Sequence, residues 1–142
     1  MNINLIRKSG KYNFEATNES GFTVELDAKT AIGGEGKGFR PMEMLLVGLG
    51  GCSAIDMINM LTKQKEPLDD VKIKITATRK DDEIPAIFDV INIHFDMFGA
   101  LSVQKVERAL DLTFDKYCSV SNIIGRSAEI KFSYEIHFGE TN

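Results

Sequence analysis

The sequence predicts an α+β fold in which an antiparallel sheet wraps around one central, buried helix, in the order βββ-α-ββ-αα-β. Two observations carry this. The stretch from Arg40 to Leu61, RPMEMLLVGLGGCSAIDMINML, is apolar on nearly every side, and a helix with no water-suited face belongs inside a protein. On both sides of it, apolar and polar residues alternate with the period of two that marks half-buried strands.

Residues 2–28 supply three short strands. Ile3 and Leu5 alternate with polar neighbours, Ser9-Gly10 turns the chain, and Tyr12, Phe14 and Ala16 alternate again. After Glu19-Ser20-Gly21, Phe22, Val24 and Leu26 complete a meander with one dry face. Lys29 to Phe39 is glycine-rich but lacks both GxGxxG and a Lys-Ser/Thr ending, so it is expected to be a flexible connector and not a phosphate loop. Pro41 and Glu43 suit the first turn of the central helix, and Lys63, Lys65 and Pro67 its end. Gly48, Gly50 and Gly51 weaken that helix and are expected where another backbone comes close.

Downstream, Val71, Ile73, Ile75 and Ala77 alternate with polar residues, Asp81-Asp82-Glu83 and Pro85 turn, and Phe88 to Phe98 puts Ile91, Ile93, Phe95 and Met97 on one face. His94 falls on the other face, a surface or interface position and not a catalytic one. Ser102 is a suitable N-cap for a helix with Val103, Val106, Leu110 and Phe114 at helical spacing. Ser119 can cap a short helix through Ile124, which places Cys118 near a helix N-terminus, where a thiolate is favoured. Ile130 to Phe138 forms the last strand.

The 142 residues suit a single domain, 1–142, and the charge of −4 with a pI near 5.2 argues against a nucleic-acid surface. The N-terminus has no signal-peptide pattern, so the expected location is cytoplasmic. Arg40–Leu61 is long enough for a membrane span, but Glu43, Asp56 and Asn59 interrupt it, and no membrane partner is expected. The two cysteines show neither zinc-type spacing nor CxxC, so no metal is expected, and any pairing in a reducing compartment should be transient. On its helix alone, Cys52 reads as an inert small hydrophobe.

PMEMLLVGLGGCSAIDMI, INIHF and DLTFDKYCSVS, in this order and spacing, resemble the OsmC/Ohr family of osmotically inducible and organic hydroperoxide resistance proteins, and within it the YhfA-like branch. The resemblance runs over essentially the whole chain, with two cysteines 66 residues apart. It implies an OsmC-like fold, an intertwined homodimer with sites at the dimer interface, and a thiol-dependent peroxidase for small hydrophobic hydroperoxides that serves in oxidative stress. Cys52 would be the attacking thiol and Cys118 the resolving one, with an external dithiol as reductant and no cofactor. Peroxidase members stabilise the thiolate with an arginine held by a carboxylate; here Arg40 is the first candidate and Arg7 the second. The sequence departs from the pattern at Met42, which stands where the holding glutamate is usual, with Glu43 one residue on and turned by about 100°. Two other readings therefore stand beside the peroxidase: a cysteine-based redox sensor or small-ligand-binding protein with little turnover, and a dimer whose cysteines are structural leftovers.

Overall fold

The computed structural model describes residues 1–139. Contacts gather into two compact units, Met1–Val47 and the chain from Gly48 onward.

In the first unit, β1 (Ile3–Ser9), β2 (Asn13–Asn18) and β3 (Thr23–Leu26) form an antiparallel meander in sequence order. Leu5 pairs with Ala16, and Ala16 with Val24, so the apolar positions of the three strands share one face. That face is not dry in a single chain, because Ile3, Leu5 and Phe22 remain exposed on it and border an apolar groove of about 460 Å³ with Val24, Leu26 and Met44. The glycine-rich segment is also more ordered than its composition suggests. Asp27, itself buried, accepts the backbone N–H groups of Ala28 at 2.7 Å, Glu35 at 3.0 Å and Lys37 at 3.2 Å, drawing the loop into a closed ring. Gly34 is required there, since a Cβ would stand 2.0 Å from the carbonyl oxygen of Ala28.

The helix α1 (Pro41–Lys63) begins in the first unit and continues into the second. Lys65, in the left-handed region at φ 57°, ends it, with the N–H of Glu66 returning to the carbonyl of Leu61 at 3.0 Å. Although α1 is long and apolar enough to cross a membrane, Met57 and Leu61 are fully buried against protein.

The second unit pairs β4 (Asp70–Arg79) antiparallel to β5 (Phe88–Phe98), and β5 parallel to β6 (Glu129–His137). The expectation of an antiparallel sheet is thus corrected in two respects. Among the described residues the strands form two three-stranded sheets, and one pairing is parallel. The long connection between β5 and β6 through two helices makes that parallel return possible, where a tight turn would not. One sheet face packs Ile93, Phe95 and Met97 against Met57, Met60 and Leu61 of α1 and Val106, Ala109 and Leu110 of α2 (Val103–Leu112). Ser102 precedes α2 without donating or accepting a side-chain cap; its N–H is taken by Glu66 Oε2 at 2.6 Å, whose other oxygen meets Lys105 Nζ at 2.8 Å.

Beyond α2 the chain makes one π-helical turn, Thr113–Tyr117, before α3 (Ser119–Ile124). Phe114, on that turn, stacks on Phe132 with ring centroids 4.9 Å apart and meets Phe95 edge-on at 6.2 Å, which fixes the turn to the sheet.

Candidate active site

Cys52 and Asp56 lie one helical turn apart on α1, and side chains four residues apart on a helix are neighbours. The Cys52 thiol points at Asp56 Oδ2, 3.9 Å away. The second thiol arrives from the π-turn. Its wider winding lets the N–H of Cys118 reach back to the carbonyl of Thr113 at 2.8 Å, after which Cys118 adopts extended geometry and becomes the N-cap of α3. Cys118 Sγ accepts the N–H of Ser121 at 3.4 Å, while its carbonyl accepts the Ser121 hydroxyl at 2.9 Å. Cap position therefore belongs to Cys118 and not to Ser119.

The two sulfurs and one oxygen of Asp56 all lie within 4.8 Å of one another. Both thiols are free. Cys118 is 3% exposed, whereas Cys52 is half-buried. Burial pushes the Cys118 thiol above its ordinary value; the Ser121 N–H and hydroxyl pull the other way but are outweighed, and the neighbouring Cys52 adds to the rise. The expectation that a helix N-terminus would favour the thiolate at Cys118 is corrected accordingly: one turn of helix offers a single useful N–H, and desolvation wins.

Around the glycines of α1 no other backbone approaches among the described residues, contrary to the expectation. A Cβ at Gly50 would meet the side chain of Ile75 at 3.0 Å, one at Gly48 that of Val120 at 4.0 Å, and one at Gly51 nothing within 4 Å. The helix surface beside Cys52 is therefore open at Gly51.

In the first unit, Arg40 and Glu43 are brought together at the start of α1. Glu43 accepts the backbone N–H of Arg40 at 2.9 Å and its Nε–H at 2.8 Å, and Nη2 bonds the same carboxylate oxygen. The helix terminus and the guanidinium are thus served by one side chain. Both groups line a cleft of about 450 Å³ with Lys29, Thr30, Gly36 and Gly38. Arg7 is exposed on β1. His94 lies on the outer face of β5, bonded to Ser133 Oγ at 2.7 Å.

In the sequence Asp56 reads only as an interruption of an apolar run, although its spacing of four from Cys52 on a helix is the signal that finds it. His137, 2.8 Å from Asp96 on the outer sheet face, has no such cue, because a side-chain contact across 41 residues is invisible in local pattern.

Residues 34–133 match the family model of the OsmC-like proteins. Protein YhfA of Escherichia coli (strain K12) is 42% identical over 97 residues, which is 68% of this chain and 72% of that protein. The crystal structure of a hypothetical protein from Aquifex aeolicus VF5 is similar at a TM-score of 0.84 and 30% identity, over 98% of this chain and 97% of that one. An organic hydroperoxide resistance protein OsmC from Legionella pneumophila shares the fold at a TM-score of 0.70 and 21% identity, over 93% and 96% of the two chains.

Proposed function

This chain belongs to the OsmC-like protein family, and on that premise we propose that it is a thiol-dependent peroxidase for organic hydroperoxides. The observation that carries the reading is the approach of Cys52 and Cys118, whose sulfurs lie within 4.8 Å of each other with both thiols free. Cys52, the more accessible sulfur, attacks the distal peroxide oxygen as a thiolate. The O–O bond breaks, Cys52 becomes a sulfenic acid that keeps the distal oxygen and its hydrogen, and the departing alkoxide takes from solvent the proton that the thiol released, leaving as the alcohol. Cys118 then attacks that sulfur, water leaves, and a disulfide of about 2.05 Å forms after a short closing movement. A small external dithiol reopens it by exchange, and a reducing compartment such as the cytoplasm, to which we assign the protein, keeps the pair reduced.

Arg40, gripped by Glu43, is our candidate for the cation that favours the attacking thiolate, in the role that the family resemblance gives an arginine held by a carboxylate. Met42 stands at the usual glutamate position, yet Glu43 still supplies a carboxylate to an arginine.

We further propose a homodimer. In the first unit the apolar face of β1–β3 keeps Ile3, Leu5 and Phe22 exposed, and in the second Ile55 and Ile58 of α1 are exposed; each is an apolar surface of the kind that a partner covers.

The test is the stoichiometry of cumene hydroperoxide against thiols. One equivalent per chain should remove both free thiols and give one intramolecular disulfide, and a small dithiol should sustain turnover. Formation of the disulfide without turnover would favour the sensor reading, and inertness of both thiols would reject the peroxidase.

A further inference from the structure

We propose that the reduced protein binds one thiophilic divalent cation, of the zinc or cadmium kind, through Cys52, Asp56 and Cys118, leaving a fourth coordination position open. The three ligand atoms already lie within 4.8 Å of one another, on residues from three separate turns of chain. A tetrahedral zinc with bonds of about 2.3 Å to sulfur and about 2.1 Å to oxygen places its ligand atoms about 3.6–3.8 Å apart. Closing the cluster to that size takes about 1 Å of side-chain movement, and the 3.9 Å between Cys52 and Asp56 is nearly there.

Chemistry points the same way. Two thiols and one carboxylate are a soft set with a single hard member, suited to zinc-like ions and not to magnesium or calcium. Among the described residues Asp56 has no ion-pair partner, so its charge faces the two thiols without a cation. Half-burial of Cys52 and Asp56 leaves an entry path, and Ser121 holds Cys118 through both its sulfur and its carbonyl. By contrast, a second cluster, His94, Asp96 and Glu135, is open on the sheet surface, with His94 bonded to Ser133 and Asp96 to His137.

Binding exchanges two thiol protons for the metal, and no electron moves. A metal held this way occupies the same sulfurs that the peroxidase cycle needs, so occupancy and turnover exclude each other. The inference shares those residues with the proposed function but does not depend on turnover.

The experiment titrates the reduced full chain with zinc against a chromophoric chelator, and separately with cadmium. One zinc per chain, release of two protons, and a sulfur-to-cadmium charge-transfer band in the ultraviolet are expected. Losing an outer-shell partner alone costs about 10–100-fold in affinity, so Asp56→Asn should weaken zinc at least tenfold while Asp56→Glu restores most of it. Cys52→Ser and Cys118→Ser should each lose the tight site, and diamide oxidation to the disulfide should release the metal. Circular dichroism establishes that each variant is folded. Equal zinc affinity in wild type and in the double cysteine variant, no binding by wild type, or no effect of Asp56→Asn would each overturn the triad. A chain that binds zinc but ignores cumene hydroperoxide keeps this inference and loses the peroxidase; turnover without zinc binding does the reverse.

Discussion

The carboxylate of Glu43 holds Arg40 at two places, its backbone N–H at 2.9 Å and its guanidinium Nε–H at 2.8 Å. The first contact closes the opening turn of α1; the second holds the guanidinium against that turn. Together they hold the Glu43 carboxyl below the usual carboxylate range, with the backbone N–H of Arg40 the largest cause and its side chain the next. A depressed value means that the bond contributes above the ordinary value of 4.5 and is lost as pH falls through the lower folded value. Arg40→Met should therefore move the Glu43 titration, followed by carboxyl NMR, part of the way back toward 4.5, the backbone contact being kept. If Arg40 also serves the attacking thiolate, the same variant should slow alkylation of Cys52 at neutral pH. An unchanged alkylation rate would take that role from Arg40 and pass the test to Arg7.

The two sulfurs should separate in single variants. Cys118→Ser is expected to consume about one equivalent of hydroperoxide and accumulate a dimedone-trappable sulfenic acid, because attack precedes resolution. Cys52→Ser is expected to consume none. Since burial holds the Cys118 thiol above 9.0, iodoacetamide should modify it slowly in Cys52→Ser at neutral pH and much faster only as pH rises through the alkaline range. Exchange of the two phenotypes would exchange the roles.

What the sequence made legible is what local pattern encodes. Alternation marked the strands, and apolar content marked α1, because each depends on residues a few positions apart. The pairing of β5 with β6 did not follow, since Ile91 meets Ile130 across 39 residues and nothing local distinguishes a parallel return from a hairpin. Cys52 and Cys118 came forward through family resemblance, while their approach depends on a π-turn that one extra residue creates and no propensity announces. Asp56 was within reach of helical spacing. The raised Cys118 thiol was not, because a dipole argument sees the helix end and not the burial around it.

In the loop before α1, Asp27 should behave as a single pin. Burial alone would raise its carboxyl, yet the N–H groups of Lys37, Ala28 and Glu35 outweigh that and leave it below the ordinary 3.8. The stabilisation is thus complete above pH 3.8 and lost as pH falls through the lower folded value. Asp27→Ala leaves three backbone donors without their acceptor and should speed limited proteolysis between residues 28 and 38. Proteolysis unchanged at neutral pH would mean that the glycines, Gly34 among them, hold the loop without it.

Ile55 decides between a lone chain and a shared core. It points outward from α1 and is 63% exposed in one chain, three residues from Cys52. On a monomer's surface, Ile55→Lys would change stability by no more than about 0.5 kcal/mol, as surface substitutions away from special features do. In a dry dimer interface the same lysine would be a buried charge without a partner, and leaving such a charge uncompensated costs about 3–5 kcal/mol. The proposed homodimer therefore predicts that wild type sediments at twice 15.8 kDa at micromolar concentration. Ile55→Lys should shift it to monomer and lower its urea midpoint together. A wild type that sediments as a folded monomer, with an Ile55→Lys variant of equal stability, would remove the dimer and leave the apolar face of α1 to some other partner.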